Sequence, residues 1–288
     1  MSPAEQGVAQ SVRQRLLNRS RETGEDYNLL LTRYAVERWL YRLSQSAYAN
    51  DFVLKGAMLF TVWTGALHRP TRDLDLLGFG EPSEERLVGV FRKLCDQAVD
   101  DDGMSFDADT VTAMPIRDEH VYAGIRLRIQ AKLSNARLNM QVDVGFGDVV
   151  TPEAVTLAYP TLLDQPVPML RVYSLESVIA EKLEAIVSLG MANSRMKDFY
   201  DAWVLLQRFE LDDAVLAAAI RATFERRRTT IPMVVPFGLT DEFAGDTDKQ
   251  QQWVGFLRRS GLPVTQELLS VVHMLRDRLL PLLPRASK

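Results

Sequence analysis

Between residues 7 and 48 the chain carries no proline, and its apolar residues recur at helical spacing, which predicts two helices. Leu29, Leu30 and Tyr34 mark one face, followed by Val36, Leu40 and Leu43. The run FVLKGAMLFTVWT at 52–64 changes character: a short apolar strand end turns into a helix, with Lys55 and Gly56 at the turn. RDLDLLGFG at 72–80 alternates charged and apolar residues and closes on glycines, so it predicts a strand. Helical spacing returns over 84–98 at Leu87, Val90, Phe91 and Leu94. Two stretches alternate more cleanly still. Ile125, Leu127, Ile129, Ala131 and Leu133 interleave with Arg126, Arg128, Gln130 and Lys132, and Leu138, Met140, Val142 and Val144 interleave with Arg137, Asn139, Gln141 and Asp143. The short polar SNAR between them predicts a hairpin.

Past this hairpin, Pro152, Pro160, Pro166 and Pro168 mark a loop-rich linker. Helices are predicted at 174–189, 196–208, 211–226, about 248–259 and 265–280. No repeat or low-complexity tract interrupts them. The expected architecture is α+β: a small mixed sheet flanked by helices, followed by a helical C-terminal region. The expected division is a helical lead-in over 1–50, a sheet-bearing core over 51–170 and a helical domain over 171–288 that completes the site.

Composition narrows the setting. The chain has 288 residues, enough for one large domain or two ordinary ones. Its 47% apolar and 25% charged fractions are those of a water-soluble globular protein, and no stretch approaches the roughly 18 apolar residues of a membrane span. The polar start MSPAEQGVAQ has no secretory pattern and Cys95 has no internal disulfide partner, so a cytoplasmic location without membrane attachment is expected. A net charge of -4 gives no global attraction to nucleic acid. Local basic groups, Arg13, Arg15, Arg19 and Arg21 or Arg226, Arg227 and Arg228, are either phosphate contacts or solvated helix faces.

The candidate chemistry lies on the strands. Residues two apart in a strand face one way, so Asp73 and Asp75 project together while Leu74 and Leu76 pack behind them. Paired carboxylates repel unless a cation sits between them, and Mg²⁺ takes such oxygen ligands and bridges to phosphates. Acids alternate on many solvated strand faces, so a bare D-x-D decides little. Asp143, on the polar face of a second strand, offers a third carboxylate and hence a two-metal arrangement. Lys55 and Gly56 form a phosphate-holding turn or a plain tight turn. Lys182 interrupts the apolar stripe Leu175, Val178, Ile179, Leu183, Ile186 and Val187 of a helix capped by Ser174, and either faces a phosphate or snorkels to solvent. Asp198 and Asp201, three apart on the next helix, are placed to pair with a lysine or arginine or to act as a base.

Taken together, LKGAMLF at 54–60, RPTRDLDLLG at 69–78, QVDVGFGD at 141–148, SLESVIAEKLEAI at 174–186 and RMKDFYDAW at 195–203 resemble the AbiEii/AbiGii-type nucleotidyltransferase toxins of the DNA polymerase beta-like superfamily. With IPMVVPFGL and QQWVGFL, the resemblance spans about residues 30 to 260. It implies that Asp73, Asp75 and Lys182 are catalytic together with Asp198. It further implies that Lys55, Gly56, Arg69, Thr71, Lys197 and Asp201 bind nucleotide, and that Asp73 and Asp75 hold Mg²⁺ or Mn²⁺, with Asp143 expected as the third metal carboxylate from the strand pattern. Ala57 departs from the second glycine or serine common in the family, which bears on nucleotide affinity or choice.

The implied function is metal-dependent transfer of nucleotides from a nucleoside triphosphate to an RNA acceptor such as the 3′ end of tRNA. The implied context is a toxin held in check by a cognate antitoxin in a toxin–antitoxin or phage-defence pair. Two alternatives remain open: transfer to a small molecule or protein hydroxyl, and a non-catalytic binding protein on a transferase fold. An RNA acceptor calls for a wide basic channel and an antibiotic for an acidic cleft, while loss of catalysis predicts missing carboxylates or lysine, all of which are present.

Overall fold

The computed structural model describes residues 3–65, 69–71, 73–116, 124–263 and 265–286. The chain divides into two compact units, the first formed by Met1–Gly147 and Val155–Val172, the second by Asp148–Ala154 and Tyr173–Lys288. The described elements of the first unit are helices α1 (Pro3–Thr23), α2 (Tyr27–Ser44), α3 (Leu59–Thr64) and α4 (Glu84–Cys95), with strands β1 (Phe52–Lys55), β2 (Asp73–Gly78), β3 (Met104–Ile116), β4 (Gly124–Leu133), β5 (Ala136–Phe146), β6 (Val155–Ala158) and β7 (Met169–Val172). Those of the second are α5 (Leu175–Leu189), α6 (Met196–Arg208), α7 (Asp213–Arg226), α8 (Asp241–Gly245), α9 (Thr247–Arg259), α10 (Leu268–Leu279) and α11 (Leu283–Ala286). The class is α+β as the patterning predicts, with a helical C-terminal region.

All seven strands join one mixed sheet in the order β3-β4-β5-β2-β1-β7-β6. The pairs β2/β5 and β1/β7 run parallel and the others antiparallel. Period-2 alternation explains the central strands: Leu127, Ile129, Val142 and Val144 are buried, as are Leu74 and Leu76. Against them lie apolar residues of the helices, among them Leu30, Tyr34 and Trp39 of α2 and Leu87, Phe91 and Leu94 of α4. Trp39 and Phe91 stand 4.8 Å apart between ring centroids, and Phe52 meets Phe91 edge-on at 6.1 Å. Cys95 ends α4 inside this core, its thiol pushed up to about 12 chiefly by burial.

Three strands depart from the sequence expectation. In β3 the register shifts between Asp107 and Thr112, which breaks the alternation, and Pro115 is tolerated because β3 is an edge strand. The Thr110 hydroxyl accepts from the Gln130 amide at 3.0 Å, satisfying a donor that the interrupted ladder leaves over. The proline-marked linker carries β6 and β7, each of four residues and too short for a periodic signal. The hairpin turn is also tighter than SNAR suggests, since β5 already starts at Ala136 and Ser134 takes the left-handed φ of 54°. Arg72, the first residue of the expected acidic strand, lies outside the described residues.

Helix α2 is amphipathic in an unusual way, because Glu37, Arg38 and Arg42 lie on its buried side. Each is spent on a neighbouring segment. Glu37 accepts from the Leu162 amide at 2.6 Å, Arg38 donates to the Pro166 carbonyl at 2.9 Å, and Arg42 grips Asp102 through two bonds of 2.7 and 3.2 Å. Asp102 also accepts from the Met104 amide at 3.0 Å, which ties the start of β3 to the helix. The second unit closes on its own core, where Phe199 and Phe243 stack at 5.2 Å and Tyr200, Trp203, Trp253 and Phe256 form an aromatic cluster. In the PFGL segment a Cβ on Gly238 would lie 2.9 Å from the Ile186 carbonyl oxygen, so glycine lets that loop seat directly on α5.

Asp102→Asn keeps the shape but removes the charge opposite a buried guanidinium. We expect a loss of roughly 3–5 kcal/mol of stability, the scale for stranding one member of a buried ion pair. Urea unfolding followed by circular dichroism checks this, and an unchanged midpoint would show that Arg42 finds other compensation.

Candidate active site

The first unit gathers its chemistry on one row of the sheet. Asp75 of β2 pairs in register with Asp143 of β5 on one side and with Lys55 of β1 on the other. Asp143 in turn pairs with Arg126 of β4. Registered residues of neighbouring strands share a face, so these four side chains form a lateral series: cation, carboxylate, carboxylate, cation. Asp73 begins β2 one row away, opposite Gln141, whose side-chain amide donates to it at 3.2 Å. The alternation that buries Leu74, Leu76, Val142 and Val144 is what sends these polar groups to the opposite face.

Asp143 is already engaged. Arg126 donates to it from Nε at 2.8 Å and from a terminal nitrogen at 2.7 Å, the two-pronged geometry that makes an Arg–carboxylate pair strong. The guanidinium pKa is raised, first by the hydrogen bond to Asp143 and further by the charges of Asp143, Asp73 and Asp75, with burial opposing. Arg126 thus stands in the field of all three aspartates. The sequence pattern shows it only as one basic residue in an alternating strand, and its role depends on cross-strand register.

At the end of β1 the chain turns through Gly56, with φ +74°. A Cβ there would fall 2.1 Å from a carboxylate oxygen of Asp75 and 2.8 Å from the Asp75 Cβ. Glycine is required twice, for the backbone sign and for the room that the carboxylate occupies. The helix that follows, α3, has only six residues. Arg69 and Thr71 lie just before β2, and the Thr71 hydroxyl lies 3.4 Å from the Asp73 carbonyl.

The second unit has its own ionic cluster. Lys182 of α5 holds its Nζ 3.2 Å from Asp198 and 2.9 Å from Asp201, both on α6. Arg195 adds a 2.8 Å pair to Asp198. The carboxylate side chains are 4% and 1% exposed and the lysine side chain 14%, so the ammonium is turned inward rather than snorkelling along its stem. Lys197, next to them in sequence, is exposed.

A second cation, Arg227, is buried among Asp148, Glu181 and Glu184 at 3.3, 3.4 and 2.9 Å. Burial draws its pKa down, but these three carboxylates outweigh it and the net shift is upward. Arg227 is therefore an internal counter-ion rather than a phosphate contact. In the N-terminal run, Arg13 binds Asn135 and Tyr27, Arg15 pairs with Asp164 at 3.1 Å, and Arg19 donates to the Leu162 carbonyl.

Among the described residues no three His, Cys, Asp or Glu side chains converge to hold a metal ion. The donor set still suits a hard cation. Mg²⁺ uses one or two carboxylates and fills its remaining positions with water and substrate phosphates. Asp73 and Asp75 can supply two such oxygens on a shared face, and Gly56 leaves the room in which the Asp75 carboxylate sits.

The comparisons decide the family. A model of the family described as the nucleotidyl transferase AbiEii toxin, type IV toxin–antitoxin system, matches residues 38–270. The chain belongs to this family. AbiEii membership fits the α+β fold and places the chain among nucleotidyltransferase toxins. Among solved structures, a candidate nucleotidyltransferase from H. pylori is 15% identical over 91% of this chain and 98% of that one, with a TM-score of 0.52. JHP933 from Helicobacter pylori is 15% identical over 87% and 90%, with a TM-score of 0.48. The former likeness shows a shared fold. No curated protein matches the chain. No described helix is long and apolar enough to cross a membrane.

Two expectations follow. Gly56→Ala forces a side chain into the left-handed region and against Asp75, and should cost roughly 1–3 kcal/mol. An unchanged denaturation midpoint would mean that Asp75 moves aside freely. Lys182→Met leaves two buried carboxylates short of their shared cation. It should lose about 3–5 kcal/mol in chemical denaturation, whereas a lysine that merely covered the core would leave stability unchanged.

Proposed function

We propose that this AbiEii-family chain transfers a nucleotidyl group from a nucleoside triphosphate to a hydroxyl of an RNA, as the toxin of a toxin–antitoxin pair with a cognate antitoxin. The observation that carries the reading is the in-register row in which Asp75 lies between Lys55 and Asp143, with Gly56 cleared to receive it. In this reading Asp73 and Asp75 hold a divalent cation, Mg²⁺ or Mn²⁺, with Asp143 as a third carboxylate. When bound, that ion supplies charge neutralisation at the phosphates and orients the reacting oxygens.

The chain's own groups do the rest. The Gly56 turn keeps Asp75 in place, and Lys55 on the same row offers a cation to triphosphate oxygens. Arg69 and Thr71 are assigned to nucleotide binding on the strength of the R-x-T-x-D-x-D string. Lys182 and Asp198, with Lys197 and Asp201, are proposed to be needed for transfer on the family motif alone. Gln141 steadies Asp73 by donating its side-chain amide to the carboxylate at 3.2 Å.

An RNA acceptor, such as the 3′ end of tRNA, is favoured over an antibiotic or a protein by the neighbouring hairpin. Arg128, Lys132 and Arg137 lie on the polar face of β4 and β5, all exposed, and Lys132 stands directly opposite Arg137. Like charges facing each other across strands cost stability, which a polyanion would offset. An acidic surface suited to a cationic antibiotic is not what this hairpin offers.

Incubation of the purified chain with each labelled nucleoside triphosphate, Mg²⁺ and either total RNA or total protein identifies donor and acceptor together. Label in RNA supports the reading; label only in protein or in neither sinks it. Asp75→Asn should remain folded, lose transfer by roughly 10²-fold or more, and relieve any growth arrest caused by unpartnered expression. Wild-type transfer by a folded Asp75→Asn chain would remove Asp75 from the metal site.

A further inference from the structure

Asp143 is the carboxylate beside Asp75 in the row and the third after Asp73 and Asp75, yet both of its oxygens are held by one guanidinium. The pair is well made but not sealed, since the Arg126 side chain is 34% exposed and that of Asp143 18%. Water and ions reach both partners. On the far side of Asp143 stands Asp75, in register on the adjacent parallel strand, so Asp143 has one neighbour that attracts it and one that repels it. Arg126 lies on β4 and the other two aspartates on β2, two strands away. The guanidinium therefore pulls Asp143 toward β4, whereas a cation shared with Asp73 and Asp75 would pull it toward β2.

We propose that Arg126 is a latch on the third carboxylate, competing with the divalent cation for Asp143 and yielding it when metal and triphosphate arrive together. The inference rests on the metal reading above and adds a regulatory residue to it. In the latched state the aspartate row carries its own counter-charge and is stable without metal. In the loaded state Asp143 turns to the metal on β2, and the released guanidinium, a planar donor suited to phosphate oxygens, lies one strand beyond. The exchange makes neither partner an unpaired charge at any stage, because one cation replaces another at Asp143 and an anionic ligand replaces Asp143 at Arg126.

The test is Mn²⁺ binding to the full chain, followed by electron paramagnetic resonance of the free ion, for wild type, Arg126→Gln, Asp143→Asn, the double variant and Asp75→Asn. A latch predicts that Arg126→Gln binds Mn²⁺ more tightly, on the order of tenfold, the equivalent of one charge-assisted hydrogen bond no longer competing. It predicts that Asp143→Asn binds more weakly. It also predicts that the double variant binds like Asp143→Asn, since without the carboxylate there is nothing to compete for.

Unchanged or weaker binding by Arg126→Gln overturns the latch and makes Arg126 a support of the site. A gain that persists in the Asp143→Asn background overturns it too, because it would reflect only removal of a nearby positive charge. Binding unaffected by Asp75→Asn, or absent from wild type and every variant, defeats the metal reading itself and the latch with it. Arg126→Lys, which keeps the charge but not the fork, covers the case in which the glutamine variant fails to fold. It should give an intermediate gain, and wild-type affinity or weaker in that variant would count against the latch.

Discussion

Placing two carboxylates in register on adjacent parallel strands is costly, and the first unit is arranged around that cost. Asp75 and Asp143 face each other across β2 and β5 with no residue between them. Arg126 donates to Asp143 on one flank and Lys55 stands in register beside Asp75 on the other, so a positive residue lies at each end of the row.

The second unit solves a like problem by other means. Asp198 and Asp201 are almost fully buried, and there the relief is a cation from the same unit, Lys182, with Arg195 assisting. Burial removes water as a competitor, so the cluster is held by geometry rather than by solvent. Arg227 repeats the pattern among Asp148, Glu181 and Glu184. Charged residues on the core faces of α5 and α6 are thus bound to each other, which is why their helices pack without exposing them.

Much of this was legible in the chain's patterning, and the reasons for the gaps are specific. The long alternations of β4 and β5 and the D-x-D of β2 are strong because one face of each strand is apolar throughout. The α-helical second unit followed from spacing and from caps such as Ser174, whose hydroxyl accepts from the Ser177 amide. β3 escaped because a bulge reverses its alternation midway, and β6 and β7 because four residues hold no period. At the site, residue types and same-face geometry were readable, but partners were not. That Asp143 is gripped by Arg126, and that Lys182 is gripped by Asp198 and Asp201, depends on register and helix packing, which local spacing does not encode. Arg227 of the basic run at 226–228 misleads for the same reason, since an arginine surrounded by carboxylates looks from sequence like one offered to solvent.

The parallel pairing of β2 with β5 also sets when the aspartate row can first form. Gln141 and Asp73, which touch across that pair, are 68 residues apart in the chain, and the helix, edge strand and hairpin between them must all be made before the two strands can meet. Closing so long a loop is entropically slow relative to forming the local helices. During synthesis the leading acidic strand therefore emerges without its partner, and the aspartate row is assembled only after β5 has left the ribosome. An interrupted translation product ending before β5 therefore carries the D-x-D signature without Asp143 in register beside it.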